Sequence, residues 1–146
     1  MVMKLKLDTD GMQDDFFADS RLLGITAPMK CYQFCLSLNR QLGYSFRMMS
    51  EYEIPLKKKE RTYYFSVYES HKPSHPLRHL LYHNHYDGEY LLPEFKHMDF
   101  LWLIRGDMST DDVVGTIRQQ VKSIPEVQLV VELPFEQLKN WSNLIL

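Results

Sequence analysis

The C-terminal third of the chain constrains the fold more than any other segment. An apolar run at 100–104 breaks at an Arg-Gly-Asp triplet, and a capped amphipathic segment follows it. A second apolar run begins after the Ile-Pro-Glu triplet at 124–126. This order predicts a strand, a crossover helix and a second strand. If both strands belong to one sheet, they are parallel and the crossover is right-handed.

The helix of this unit has a signal at each end. Ser109 or Thr110 can cap its N-terminus, and the two aspartates that follow complement the helix dipole. Pro125 ends it near Ser123, because the residue before a proline is restricted to extended conformations. Its buried stripe is predicted to consist of Val113, Val114, Ile117 and Val121. Residues 127–131 form the following strand, and Pro134 is predicted to open a terminal helix through Trp141.

The N-terminal part of the chain predicts a strand, a turn and a helix. Residues 4–8 alternate in polarity as a strand with one wet face does, and the Asp- and Gly-rich segment 9–15 is typical of a turn. A helix is predicted over 28–43, with Pro28 in its first turn and Gly43 as its C-terminal cap. Its apolar residues are Met29, Tyr32, Cys35, Leu36, Leu38 and Leu42.

The segment between residues 44 and 103 predicts a meander of antiparallel strands. Runs at 63–68 and 77–85 are rich in residues that favour strands, and the Asp87-Gly88 pair indicates a tight hairpin turn. The proline-bearing segments 53–61 and 71–76 are predicted to be exposed loops. Together these elements predict a two-layer α+β fold, in which a largely antiparallel sheet carries two main helices on one face.

Length and composition indicate one soluble domain over residues 1–146. The 146 residues are 45% hydrophobic and 25% charged, as in an ordinary folded protein, and the formal net charge is -2. No apolar run is long enough to span a membrane, and the N-terminus is not typical of a signal peptide. Cys31 and Cys35 are four residues apart in a predicted helix, which favours two reduced, buried thiols over a redox pair. We therefore expect a cytoplasmic protein.

Several short fragments, taken together, carry a resemblance to a known family. The chain resembles the IPExxxVDY family of short bacterial proteins over nearly its whole length. It departs from the family pattern in two places. Val130-Val131-Glu132 replaces the Val-Asp-Tyr half of the motif, and residues 17–21 look like an insertion. The fragments, in order, are 23–25, 38–39, 42–43, Asn84, Gly88, 92–94, 99–100, 106–107, 122–126 and 143–144. The family is one of unknown function, so the resemblance implies no activity, cofactor or catalytic residue.

Four carboxylates are candidate binding residues because each is predicted to lie at the end of a strand or helix. They are Glu94, Asp99, Asp107 and Glu126. If two such groups lie close together they can perform acid and base catalysis or hold a divalent ion. The alternative interpretation is structural, since Asp107 precedes a helix and the two glutamates each follow a proline at a turn. The turn and capping roles are favoured.

Five of the six histidines fall between residues 71 and 85, but prolines in the segment exclude a helical metal face. On a strand, His79, His83 and His85 share one face. The last two could bind a metal or phosphate if a carboxylate such as Glu94 were near. A solvated strand face is the favoured interpretation, and we assign no metal or cofactor.

A basic run at 57–61, followed by the aromatic residues 63–65, resembles the surfaces that bind single-stranded nucleic acid. Charged runs in loops are more often only solvated. An RNA-binding module is therefore one alternative function, and a small enzyme or divalent-ion-binding protein that uses the carboxylates is another. The favoured hypothesis is a non-catalytic interaction or oligomerisation module, in which a Tyr- and Phe-rich sheet face is partly exposed for a protein partner or a second copy.

Overall fold

Ten strands and two α-helices are present in residues 17–58 and 60–145, which are the residues that the computed structural model describes. The strand predicted over residues 4–8 lies outside them. The strands are β1 Ser20–Thr26, β2 Arg47–Met48, β3 Ile54–Lys58, β4 Arg61–Phe65, β5 Val67–Ser70, β6 Arg78–His83, β7 His85–Tyr86, β8 Glu89–Tyr90, β9 Phe100–Arg105 and β10 Leu129–Glu132. The helices are α1 Cys31–Leu42 and α2 Asp111–Lys122. Within these ranges no helix has the length and apolar character needed to cross a membrane.

The main sheet has six strands in the order β10-β1-β9-β6-β5-β2, and every neighbouring pair is antiparallel. The α+β class is therefore confirmed. β9 and β10, which flank α2, both run antiparallel to β1 and are parallel to each other, as predicted for one sheet. They are not adjacent, because β1 lies between them.

Both helices pack on one face of the sheet, as predicted. The buried side chains of α1 and α2 share one apolar cluster with alternate residues of β9, including Phe100 and Trp102. Val114, Ile117 and Val121 are buried as the sequence indicated. The buried face of α1 differs from the predicted one, because Phe34 is buried while two residues of the predicted stripe point outward.

The opposite face of the sheet is covered, and the prediction that its aromatic residues are partly exposed is wrong. Leu101, Leu103 and Tyr82 on this face are fully buried in a second apolar cluster. Residues of the β3–β4 hairpin and of the C-terminal segment, among them Phe65 and Trp141, complete that cluster. These segments cover the face because a bare apolar sheet would leave a large area in contact with water.

Several local signals have the predicted effect. Thr110 caps α2 by accepting a hydrogen bond from the backbone N–H of Val113. Gly43 ends α1 with φ of 77°. Asp87 and Gly88, with φ of 51° and 85°, form the tight turn between β7 and β8.

The Ile-Pro-Glu junction is a turn that follows the end of α2. The backbone N–H of Val127 donates to the carbonyl of Ile124, which places Pro125 at the second position of the turn. Proline suits that position because its ring fixes φ near the value required. Ile124 itself is fully buried, so the turn also anchors the end of the helix in the core.

Two predictions about segments are wrong. The predicted terminal helix is a pair of short 3-10 turns, Phe135–Gln137 and Trp141–Leu144, separated by the extended residue Leu138. The predicted loop over 53–61 contains β3, which pairs with β4 in a separate hairpin. In both segments, burial of apolar residues against the second face of the sheet outweighs the local preference.

Asn84 organises the chain between β6 and β9 through buried hydrogen bonds. Its side chain is fully buried, and its amide Nδ2 donates to the carbonyls of Phe95 and Met98 at 2.9 Å. Its Oδ1 accepts from the backbone N–H of Leu92 at 2.8 Å. One amide thus satisfies three backbone groups in an irregular segment that cannot satisfy them itself.

Asn84→Ala should lower the free energy of unfolding by about 3 kcal/mol or more, because it leaves several buried backbone groups without partners. Urea unfolding followed by circular dichroism measures this. Asn143→Ala is the control, since Asn143 makes a single half-buried bond to the carbonyl of Leu91 and its loss should cost about 1 kcal/mol. Equal losses in the two variants would contradict this role of Asn84.

Candidate functional site

A cavity of about 410 Å³ lies where the C-terminal end of α1, the first turns of α2 and the start of β6 meet. We call it the His79 cavity. Most of the wall area is apolar, although most of the lining residues carry a polar group, and the walls come from both helices and from the chain that leads into β6. The apolar lining residues are Leu42, Leu77, Val113 and Ile117. The polar ones are Tyr44, Ser70, Lys72, His75, His79, Asp112 and Thr116.

His79 contributes a polar group to this cavity and is only 5% exposed. Its Nδ1 accepts a hydrogen bond from the indole Nε1 of Trp102 at 3.0 Å. An indole N–H can only donate, so Nδ1 has no proton and the neutral ring carries its proton on Nε2. Trp102 thereby selects the tautomer of His79.

Nε2 of His79 stays partly accessible to solvent. Among residues 17–58 and 60–145, every fully buried side-chain nitrogen or oxygen has a hydrogen-bond partner. Nε2 forms no hydrogen bond within that part of the chain, so it is not fully enclosed by protein. Because His79 lines the cavity, its Nε2–H is the candidate donor for a molecule bound there.

The charge state of His79 is set mainly by burial. Burial, with smaller contributions from the nearby His75 and His71, lowers the pKa of His79 from its ordinary value of 6.5 to about 4. Desolvation has this effect because it disfavours the charged form of the imidazole. At neutral pH the ring is uncharged and carries one hydrogen-bond donor, on Nε2.

Aromatic rings hold His79 and Trp102 in place. The ring of Tyr44 meets His79 edge-on at 5.1 Å between centroids and meets Trp102 at 5.2 Å. Phe46 packs edge-on against Trp102, also at 5.2 Å. Burial raises the pKa of Tyr44 to about 12, so its hydroxyl keeps its proton. Edge-to-face contacts of this kind stabilise one arrangement of the rings.

Residues of opposite charge line the cavity near the two helix ends. Nζ of Lys72 donates to the carbonyl of Gly43 at the end of α1, at 2.9 Å. Asp112 lies in the first turn of α2, and Thr116 donates to its backbone carbonyl. The lining of the cavity thus includes one lysine and one aspartate.

Two of the four predicted carboxylates are used within the fold. Glu94 accepts hydrogen bonds from the backbone N–H groups of Lys139 and Asn140 and from the Asn140 amide. Although burial opposes it, these bonds hold the pKa of Glu94 below its ordinary value. Asp99 accepts from the backbone N–H of Ala27 at 2.8 Å and lies 3.5 Å from Nε2 of His85.

The other two carboxylates, Asp107 and Glu126, are exposed. Asp99 and Asp107 lie beyond opposite ends of β9, a strand of six residues that spans roughly 20 Å. Neither Glu94 nor any of these three lines the His79 cavity. The four candidates therefore do not meet around this concavity.

The histidines of β6 and β7 come close together, as the strand interpretation predicted. The rings of His83 and His85 are 4.5 Å apart, and Asp99 rather than Glu94 is the carboxylate near them. In the described part of the chain, no group of three or more His, Cys, Asp or Glu side chains is arranged to hold a metal ion.

The basic run at 57–61 is partly neutralised by acidic residues of the β7–β8 hairpin. Nζ of Lys58 lies 3.2 Å from the carboxylate of Glu89, and Arg61 forms an ion pair with Asp87. The guanidinium of Arg61 also lies over the ring of Tyr63, at 4.7 Å. These partners reduce the charge that the run can offer to a phosphate backbone.

Sequence patterns indicated only one part of the His79 cavity. His79 belongs to the histidine series at 71–85, but its partner Trp102 belongs to another strand and Tyr44 follows α1. No short motif joins them, since the sheet brings residues about 23 positions apart into contact. The available signal was a histidine directly before the apolar pair Leu80-Leu81.

Neither a protein-family model nor a curated protein matches this chain. The resemblance to the IPExxxVDY family therefore stays a prediction.

The free energy of unfolding should decrease as pH falls from about 6.5 to about 4. Within this window the unfolded chain binds a proton at His79 that the folded protein does not, so acid favours unfolding. A pKa difference of this size between the folded and unfolded states corresponds to roughly 3 kcal/mol of unfolding free energy at most. The measurement is urea unfolding at a series of pH values.

His79→Gln should flatten this pH dependence, since glutamine does not titrate and its amide oxygen can accept the Trp102 bond. Burial also lowers the pKa of His83 to about 4, so part of the slope should persist. His97→Gln, which changes an exposed histidine of the segment before β9, is the control and should keep the full slope. A slope that His79→Gln leaves unchanged would contradict the assignment.

Proposed function

We propose that the protein is a non-catalytic binding module that takes a small, largely apolar molecule in the His79 cavity. The observation that carries the proposal is a cavity of about 410 Å³ with mostly apolar walls and a free N–H donor from a buried histidine. Small-molecule sites have this character, with apolar walls for affinity and few polar groups for orientation.

The state of His79 favours binding over acid and base catalysis. A general base needs a free lone pair and a pKa near the working pH. The Nδ1 lone pair of His79 is engaged by Trp102, and burial lowers the pKa of the ring to about 4. The ring is therefore suited to orient a ligand by donating a hydrogen bond.

The two alternatives drawn from the sequence have weaker support. Glu94 and Asp99 accept hydrogen bonds from the fold itself, which accounts for their position without a substrate or an ion. Lys58 and Arg61 are paired with acidic residues, which weakens the case for RNA. A reducing compartment such as the cytoplasm fits Cys31 and Cys35, which are both free and buried.

Self-association is a second candidate function, and the outer face of α1 favours it. Tyr32 and Leu36 are 58% and 44% exposed and, being four residues apart, lie on one face of the helix. Large apolar side chains that adjoin one another on a surface are typical of contacts with another chain. The proposed contact surface is thus the outer face of α1 and not the face of the sheet that the sequence indicated.

Thr116→Trp should abolish binding in the His79 cavity, because Thr116 is exposed on α2 and a larger side chain there fills the cavity from its edge. Toluene, biphenyl and 4-phenylpyridine are suitable probes, and NMR titration of the Val113 and Ile117 methyl groups measures their binding. We expect at least one probe to bind with Kd of about 1 mM or tighter.

Gln120→Trp is the matched control for this experiment, since Gln120 is exposed one turn farther along α2 and does not line the cavity. It should bind the probes as the unmodified protein does. If no probe shifts the two methyl groups, or if both tryptophan variants bind equally well, the proposed function is wrong.

Tyr32→Glu and Leu36→Glu should shift any dimer toward monomer, because a charge in an apolar contact between copies is costly to bury. Light scattering coupled to gel filtration at high protein concentration measures the mass. Met48→Glu, which changes an exposed methionine on β2, should leave the mass unchanged. A strictly monomeric unmodified protein would rule out self-association.

A further inference from the structure

The bond between Trp102 and His79 restricts what the cavity can bind. The indole N–H donates to Nδ1 at 3.0 Å, and both residues are buried. If His79 became an imidazolium, both of its nitrogens would carry protons and the indole N–H would lose its acceptor. The bond therefore favours a neutral ring that offers one donor, on Nε2.

A carboxylate is poorly matched to such a donor. An anion that leaves water needs a cation or several donors to offset its loss of hydration. A carboxylate beside His79 would gain most from an imidazolium, which the Trp102 bond disfavours. An uncharged acceptor loses less hydration and needs only the single N–H.

The charged residues of the cavity lining do not change this preference. Lys72 is a cation in the lining, and its Nζ donates a hydrogen bond to the carbonyl of Gly43. The carboxylate of Asp112 also belongs to the lining and repels an anion. The lining residues thus carry one charge of each sign, and neither sign is in excess.

We infer that the His79 cavity selects uncharged aromatic molecules with one terminal hydrogen-bond acceptor, a heteroaromatic nitrogen or a carbonyl oxygen, which receives the Nε2–H of His79. This inference rests on the proposed function and adds the chemical class of the ligand. The apolar walls formed by Leu77, Val113 and Ile117 contact the aromatic body of the molecule. The acceptor satisfies a donor that is otherwise left without a protein partner.

Three probes of similar shape test this class at pH 7.5. 4-Phenylpyridine has a terminal nitrogen acceptor, biphenyl has the same shape without one, and biphenyl-4-carboxylate has an anionic end. We expect 4-phenylpyridine to bind about tenfold tighter than biphenyl, and the carboxylate to bind more weakly than 4-phenylpyridine by at least about tenfold. The Nε2 proton of His79, followed by NMR, should shift downfield with 4-phenylpyridine alone.

Substitutions at His79 separate the donor from the shape of the cavity. His79→Gln keeps an acceptor for Trp102 and an N–H donor, so it should keep a preference for 4-phenylpyridine. His79→Leu removes the donor and should bring the two neutral probes to equal affinity. Because that variant leaves the Trp102 indole without its partner, the double variant His79→Leu with Trp102→Phe removes both polar groups and should fold.

The outcomes distinguish this inference from the proposed function. If biphenyl binds as tightly as 4-phenylpyridine, or if the carboxylate binds tightest, the ligand class is wrong although the cavity still binds small molecules. If the preference persists in the double variant, His79 is not the donor and the inference fails. If none of the probes binds, the proposed function fails together with the ligand class.

Discussion

Burial of β9 on both faces is the constraint on which the rest of the structure depends. Every residue from Phe100 to Ile104 is fully buried, and the strand is paired on both edges, with β1 and β6. Its side chains alternate between the helix-covered face and the face covered by the β3–β4 hairpin and the C-terminal segment. A strand of this kind requires cover on each side. The need to bury apolar side chains on both faces of β9 explains why the two helices pack on one face and the C-terminal turns on the other.

The register between β9 and β6 also creates the candidate site. Leu81 lies opposite Trp102, and His79 lies opposite Ile104, so the indole and the imidazole are diagonal neighbours on one face. Diagonal pairs lie within reach of aromatic side chains, and here the pair closes a hydrogen bond. The same side chain that fills the core beneath the helices thereby fixes the tautomer of the histidine that faces the cavity.

Two polar side chains, Asn84 and His79, illustrate different uses of burial. Asn84 is fully buried and uses its amide to satisfy backbone groups of the irregular segment before β9. His79 is nearly as buried and lines a cavity, yet one of its two nitrogens has no partner within the described ranges. Buried polar groups in proteins generally have partners, and Nε2 of His79 lacks one because that nitrogen is not fully buried.

The sequence by itself determined the α+β class, the strand-helix-strand unit around α2 and the Asp87-Gly88 hairpin, because these depend on periodicity and on backbone preferences within a few residues. Tertiary structure alone decided that β1 lies between β9 and β10, that 3-10 turns cover the second face, and that Tyr32 faces outward. It also joined His79 to Trp102. Contacts between residues far apart in the chain follow from strand order and packing, which local patterns do not encode.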